Sequence, residues 1–160
     1  MPLQEIIDNI PQIGFVEWIG IRPSREVPVQ EISFVEVSQE EGLIGDHYNK
    51  VGGSRQVTLI QAEHLETVAK LLQVNEINPA LTRRNILVSR INLLAFADRT
   101  FQIGEVILKM TGFCHPCSKM EANLGSGGYN AMRGHGGITA KVVQGGIIKI
   151  GDQVKLYQNG

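Results

Sequence analysis

The residues with the most chemistry in them stand together in the segment Phe113-Cys-His-Pro-Cys-Ser-Lys119. Two cysteines at this spacing, Cys114 and Cys117, suit half of a zinc site, a redox dithiol, one reactive thiol with a neighbour, or simple core packing. Zinc needs two more ligands. No second C-x-x-C exists, and His47, His64 and His135 stand at no familiar ligand spacing. A thioredoxin-like dithiol fits the local pattern of strand, motif and helix. That fold, however, requires further strands and a helix after the motif, and here a glycine-rich loop and hairpin-like sequence follow. A single thiolate remains: a cysteine at a strand end, opening a helical turn and followed by Lys119, is expected to have a lowered pKa. Such a group serves as nucleophile, sulfur carrier or soft-metal ligand. Free cysteines often fill core space, but Pro116 and the polar His115, Ser118 and Lys119 argue against deep burial of the pair. Either Cys114 or Cys117 suits that role at this point, with His115 and Lys119 as accessory groups.

Two further groups carry polar chemistry. Gly42-Leu-Ile-Gly-Asp-His-Tyr48 leads to Gly52-Gly-Ser-Arg-Gln56. Glycines around an acid make a sharp turn whose exposed amides can approach an anion, although such turns occur in any β protein. Thr82-Arg-Arg-Asn85 offers planar forks for phosphate or carboxylate, or else a solvated helix end. His47, His115 and His135 fall in glycine- or cysteine-rich loops and are candidate site residues. His64 is expected on the exposed side of a helix.

These groups must be positioned by short strands. Ile13–Ile21, Ile32–Val37, Arg55–Ile60, Ile86–Arg90, Val106–Met110, Ile138–Val143, Ile147–Ile150 and Val154–Tyr157 are each rich in β-branched or aromatic residues, most of them bounded by turn residues. The 18 glycines are spread along the chain, as many turns require. One helix is clear: Ala62–Gln73 sets Leu65, Val68, Ala69 and Leu72 on one face, with Glu63 and Glu66 early and Lys70 late. Asn78–Arg83 reads as a second short helix with Asn78 as cap and Pro79 at the first helical position. Residues 125–137 read as a flexible or functional loop around a helical turn. Many strands and few helices predict a mainly-β, closed barrel with a few short helices.

The bulk properties agree with one domain over residues 1–160, and they weaken several functions. Apolar residues make up 42% and charged residues 19% of the chain, both ordinary for a globular protein. A net charge of −1, with Arg55, Arg83, Arg84, Arg90 and Arg99 scattered, gives no field for nucleic acid or an anionic membrane surface. No apolar run approaches the ~20 residues that span a bilayer. Met1–Ile10 carries two acids and no basic segment, which is unlike a signal peptide. The expected compartment is therefore the cytoplasm, where thiols stay reduced.

Taken in order, Gly42–Asp46, Ser54–Ile60 with Glu63, Arg84-Asn-Ile86, Ile103-Gly104, Pro116-Cys117 and Gly145–Val154 resemble the MOSC domain, named for the C-terminal part of molybdenum cofactor sulfurase. Phe15–Pro23 is similar to the first strand of its small stand-alone members. The resemblance implies a closed, mostly antiparallel barrel like that of pyruvate kinase. It also implies that Cys117, matching the family's cysteine after proline, carries persulfide sulfur or ligates molybdenum in a pterin cofactor. Arg84 and Asn85 match an Arg-Asn pair that would hold the cofactor's anionic end, and Gly45, Asp46, Arg55 and Gln56 match positions near the same mouth. The pyridoxal-phosphate domain of the sulfurases has no counterpart here, so a pyridoxal-phosphate label would be inherited from the family. Amidoxime-reducing relatives carry an additional N-terminal barrel, which has no counterpart either. The implied activity is a molybdenum-dependent oxidoreductase that reduces N-hydroxylated compounds with electrons from a partner reductase. The alternatives are a sulfur carrier loaded by a cysteine desulfurase for metal–sulfur cofactor assembly, and a non-catalytic small-ligand or interaction barrel.

Overall fold

Strands alternate along residues 1–158, which are the residues described by the computed structural model; the last two of the domain expected over 1–160 lie outside them. In chain order they are β1 (Gly14–Ile21), β2 (Gln30–Ile32), β3 (Phe34–Ser38), β4 (Gly42–Leu43), β5 (Val57–Gln61) and β6 (Ile86–Ser89), followed by β7 (Thr100–Ile103), β8 (Val106–Phe113), β9 (Ile138–Gln144), β10 (Gly146–Lys149) and β11 (Gln153–Leu156). The helices are α1 (Leu3–Asp8), α2 (Ala62–Leu71), α3 (Lys119–Leu124) and α4 (Gly128–Met132), with 3₁₀ turns at Pro79–Thr82 and Leu93–Phe96.

Seven strands close into a ring in the order β11-β7-β8-β9-β5-β6-β1, shut by the pairing of Gly14 with Val154 and Phe15 with Gln153. Every pairing in the ring is antiparallel except β5 with β6, which α2 connects as a crossover must. β2 extends β1, and β10, β3 and β4 form a separate small sheet. The expectation of a closed, mainly-β barrel holds.

The details differ where local pattern is ambiguous. The run Ile32–Val37 breaks at Ser33 into β2 and β3, which belong to different sheets. β7 was not foreseen; its four residues meet β8 across the tight Gly104 turn. The stretch 125–137 contains α4, and the short helix after Asn78 is a 3₁₀ turn whose cap side chain accepts the Ala80 N–H at 3.0 Å.

The strands bury both faces along one side of the barrel. Val16, Ile19, Val57, Leu59, Ile86 and Val88 point into the barrel core. Trp18, Ile60 and Leu87 point outward under α2, α3 and α4, where Leu65, Val68, Met120 and Met132 meet them. Strict alternation would not put both Val16 and Ile19 inside. A bulge between Val16 and Trp18 in the pairing with β6 shifts the phase of β1 and makes this possible. Fully burying a side chain such as Ile19 or Leu59 contributes roughly 1.5–3 kcal/mol over leaving it exposed, so the barrel interior forms a rigid frame for its rim. Val35, Val37, Leu43 and Ile148 of the small sheet join the same core. No helix among the described residues is long and apolar enough to cross a membrane.

Candidate functional site

The cysteine segment leaves the end of β8 and runs into α3. Its first residue is tied down: the Cys114 N–H donates to the Gly137 carbonyl at 2.8 Å, just before β9. Gly136 and Gly137 are required for this approach. A Cβ on Gly136 would collide with the Cys114 carbonyl, and one on Gly137, whose φ is +86°, with the Leu59 carbonyl. The Cys117 carbonyl accepts the Met120 N–H at 2.9 Å as α3 begins, and Met120 is buried under α2.

The two thiols end up in opposite environments. Cys114 is buried at 3% exposure, and Cys117 is exposed. The polar neighbours His115, Ser118 and Lys119 are all exposed as well, so the expectation against deep burial fails for Cys114 and describes Cys117. Cys114 is buried because its chain neighbours on both sides are anchored to β9 and Arg84, not because of its own side-chain chemistry. Its Sγ lies 3.8 Å from Nη2 of Arg55.

Arg84 is the residue whose role changes most. Its guanidinium is buried and directed at main-chain carbonyls: Nε donates to Gly136 at 2.7 Å, Nη1 to Thr82 at 3.0 Å and Nη2 to His115 at 3.4 Å. It braces the cysteine loop against the β6 entrance instead of presenting a fork to an external anion, and it is no solvated helix end. Burial pulls it below the usual arginine value; the Cys114 and Cys117 thiols oppose that, while Arg55 and Arg83 reinforce it. It stays a cation at neutral pH, so the cysteine loop rests on a fixed positive charge. Asn85 is equally committed. Its Oδ1 accepts from the Thr58 N–H at 3.1 Å and hydroxyl at 2.9 Å, and its Nδ2 donates to Gly20 at 3.1 Å. The expected anion clamp is thus corrected for Arg84, whose side chain holds the barrel rim, while Asn85 bonds to the rim and also lines the neighbouring cavity.

Three more arginines lie nearby. Arg22, Arg55 and Arg83 line a cavity of about 120 Å³ together with Asp46, His47 and Asn85. Two larger clefts of about 640 Å³ open elsewhere on the surface, and each holds a single arginine, Arg90 or Arg99. Asp46 organises the rim of the smaller cavity. Its Oδ1 accepts the Arg22 N–H at 2.8 Å and its Oδ2 the Tyr48 N–H at 3.3 Å. Burial raises its carboxyl above the ordinary range; the Tyr48 N–H, the His47 ring and the Asn85 amide pull it back. His47 donates from Nδ1 to the Arg22 carbonyl at 3.2 Å, leaving Nε2 to accept from Arg22 Nη2 at 3.4 Å. Gly45 precedes this loop with φ +100°, a backbone position that favours glycine.

Of the residues expected near the mouth, Asp46 and Arg55 line this cavity, whereas Gly45 and Gln56 do not. Gln56 is 1% exposed, and its amide ties Gln39, Lys50 and Val142 of three different segments, with bonds of 2.8, 3.0 and 2.8 Å. Sequence reasoning missed Arg22 as a mouth residue, because its link to Asp46 spans 24 residues and leaves no local spacing signal. His64, expected on the surface, is half-buried and meets His135 edge to face with ring centres 5.4 Å apart. Among the described residues no three His, Cys, Asp or Glu side chains gather to hold a metal ion.

The chain is a closed seven-strand barrel that carries one exposed thiol and a separate cavity lined by arginines. The MOSC domain model matches residues 46–155, more than half of the chain, and the chain belongs to the MOSC domain family. The crystal structure of the YuaD protein from Bacillus subtilis superposes with a TM-score of 0.80 at 18% identity, covering 94% of this chain and 100% of that one. YiiM from Geobacillus stearothermophilus gives 0.71 at 15% identity over 92% and 76% of the two chains, and YiiM from Escherichia coli 0.67 at 16% over 91% and 71%. At these identities the likeness is one of fold. No curated protein matches the chain.

Proposed function

We propose that this barrel binds molybdenum cofactor at its rim, with Cys117 as the protein's ligand to the metal, and reduces N-hydroxylated compounds with electrons from a partner reductase. The observation that carries this reading is the exposed Cys117 thiol on the loop that Arg84 braces, a loop whose Cys114 sulfur lies 3.8 Å from Arg55, which lines a cavity with Arg22 and Arg83. The donor set fits. A thiol is a soft ligand suited to such a metal, and three arginines exceed what a single sulfur atom would need but match an anionic phosphate. When bound, the cofactor would supply two-electron redox chemistry. The net reaction adds two electrons and two protons to the N-hydroxyl group, breaking the N–O bond to leave the amine and water. The chain's own part is to hold Cys117 outward, to place arginine donors on the anionic end, and to keep the loop rigid through Arg84.

A second reading rests on the size of the arginine cavity. About 120 Å³ is below the roughly 300–1,000 Å³ of typical small-molecule pockets, which favours a smaller cargo, persulfide sulfur carried on Cys117 after loading by a cysteine desulfurase. One preparation separates the two. Protein made in a host that assembles molybdenum cofactor should contain molybdenum and a fluorescent pterin in proportion to protein, and Cys117→Ser should lose the metal. Clean absence of both overturns the first reading. A gain of one sulfur in intact mass after incubation with desulfurase and cysteine, abolished in Cys117→Ser, then establishes the second.

A further inference from the structure

We propose that His64 on α2 and His135, just after α4, form a two-histidine site for a divalent cation of the zinc class, with water completing its coordination. The pair lies apart from the arginine-lined cavity and plays no part in the function proposed above. A carbonyl can only accept, so the 3.0 Å contact between His135 Nδ1 and the Ala131 carbonyl places the proton on Nδ1. In the neutral ring Nε2 then carries the lone pair. This is the arrangement that a backbone carbonyl imposes on a metal-binding imidazole from its far side. The His64 ring makes no hydrogen bond to the described residues, and no ring nitrogen is sealed from solvent without a partner. An ion and its waters can therefore reach it.

The spacing suits a shared ion. Two imidazole nitrogens about 2 Å from one zinc ion, at a tetrahedral angle, set ring centres about 5 Å apart. The observed separation is 5.4 Å. With two protein ligands and no third His, Cys, Asp or Glu in reach among the described residues, binding is moderate and reversible by chelators. The ion would fasten α2 to the chain just before Gly136, whose carbonyl receives Arg84 at 2.7 Å, so it would stiffen the support of the cysteine loop from behind.

Zinc chloride titrated by calorimetry into the full chain carrying Cys117→Ser, which removes the exposed thiol, tests this. The expected result is one zinc per chain at micromolar affinity, weakened about tenfold or more in both His64→Gln and His135→Gln. Circular dichroism checks that each variant is folded; His64→Gln, at a half-buried helix position, keeps the test decisive if His135→Gln is not folded. With Cu²⁺ as the probe, electron paramagnetic resonance should show nitrogen coupling that His64→Gln reduces. Zinc binding by His64→Gln as tight as by its parent, or no binding to the parent at all, overturns the proposal.

Discussion

Replacing Arg84 by methionine separates a brace from an anion clamp. The side chain is buried and donates to three main-chain carbonyls, two of them at 2.7 and 3.0 Å and one longer, at 3.4 Å. Hydrogen bonds from a charged donor are worth about 1.5–3 kcal/mol each, so the two shorter ones together represent about 3–6 kcal/mol. Removing a buried charge returns part of that, because the guanidinium no longer has to be desolvated. A net loss of about 3–4 kcal/mol follows, or a melting temperature roughly 10 °C lower for a chain of this size. Urea unfolding followed by the fluorescence of Trp18, the single tryptophan, measures it by linear extrapolation. Arg84→Lys keeps the charge but not the fork and should lose at least about 2 kcal/mol. If either variant unfolds within about 1 kcal/mol of the unsubstituted protein, Arg84 is not a brace, and its assignment to an external anion regains its force.

Two other outcomes can be measured with the same apparatus. Gly137→Ala adds a Cβ into the Leu59 carbonyl at φ +86° and should destabilise the chain by more than about 3 kcal/mol, whereas Gly134→Ala, at φ +81° with open space, should cost about 1–2 kcal/mol. For His64, burial and then the neighbouring His135 hold the folded ring below the unfolded value of 6.5. The unfolded chain then binds the proton more tightly, so this contribution to stability is complete above about pH 6.5 and is lost as pH falls through the folded value. The unsubstituted protein should therefore lose more stability between about pH 8 and pH 5 than His64→Gln does; equal losses would remove the argument.

How much of this was legible in the sequence depends on the range of the interaction. The barrel was readable because β-branched runs and glycine turns are local signals, and α2 because Leu65, Val68 and Ala69 recur at helical spacing. The phase shift in β1 was not readable, since a bulge is defined by its partner strand β6. At the site, Asp46 and Arg55 were found through loops of recognisable composition. Arg84 and Gln56 were misread because residue type alone says that a guanidinium or an amide can bind something, not that backbone 52 or 86 residues away already occupies it. Residue type and spacing did not tell Cys114 from Cys117, although the family resemblance singled out Cys117; the anchoring of Cys114 to Gly137 accompanies the burial of one thiol and the exposure of the other.

The contact that shuts the barrel joins Gly14 to Val154, residues near opposite ends of the sequence. During synthesis on a ribosome the ring stays open until β11 has emerged. Until then β1 and β7 each lack a neighbour, and their bare edges can recruit strands from other nascent chains. Pairings so distant along the sequence also slow the search for the native state. The last strand of the chain is thus the stave that fills the gap between β1 and β7 and leaves the ring without an open edge there.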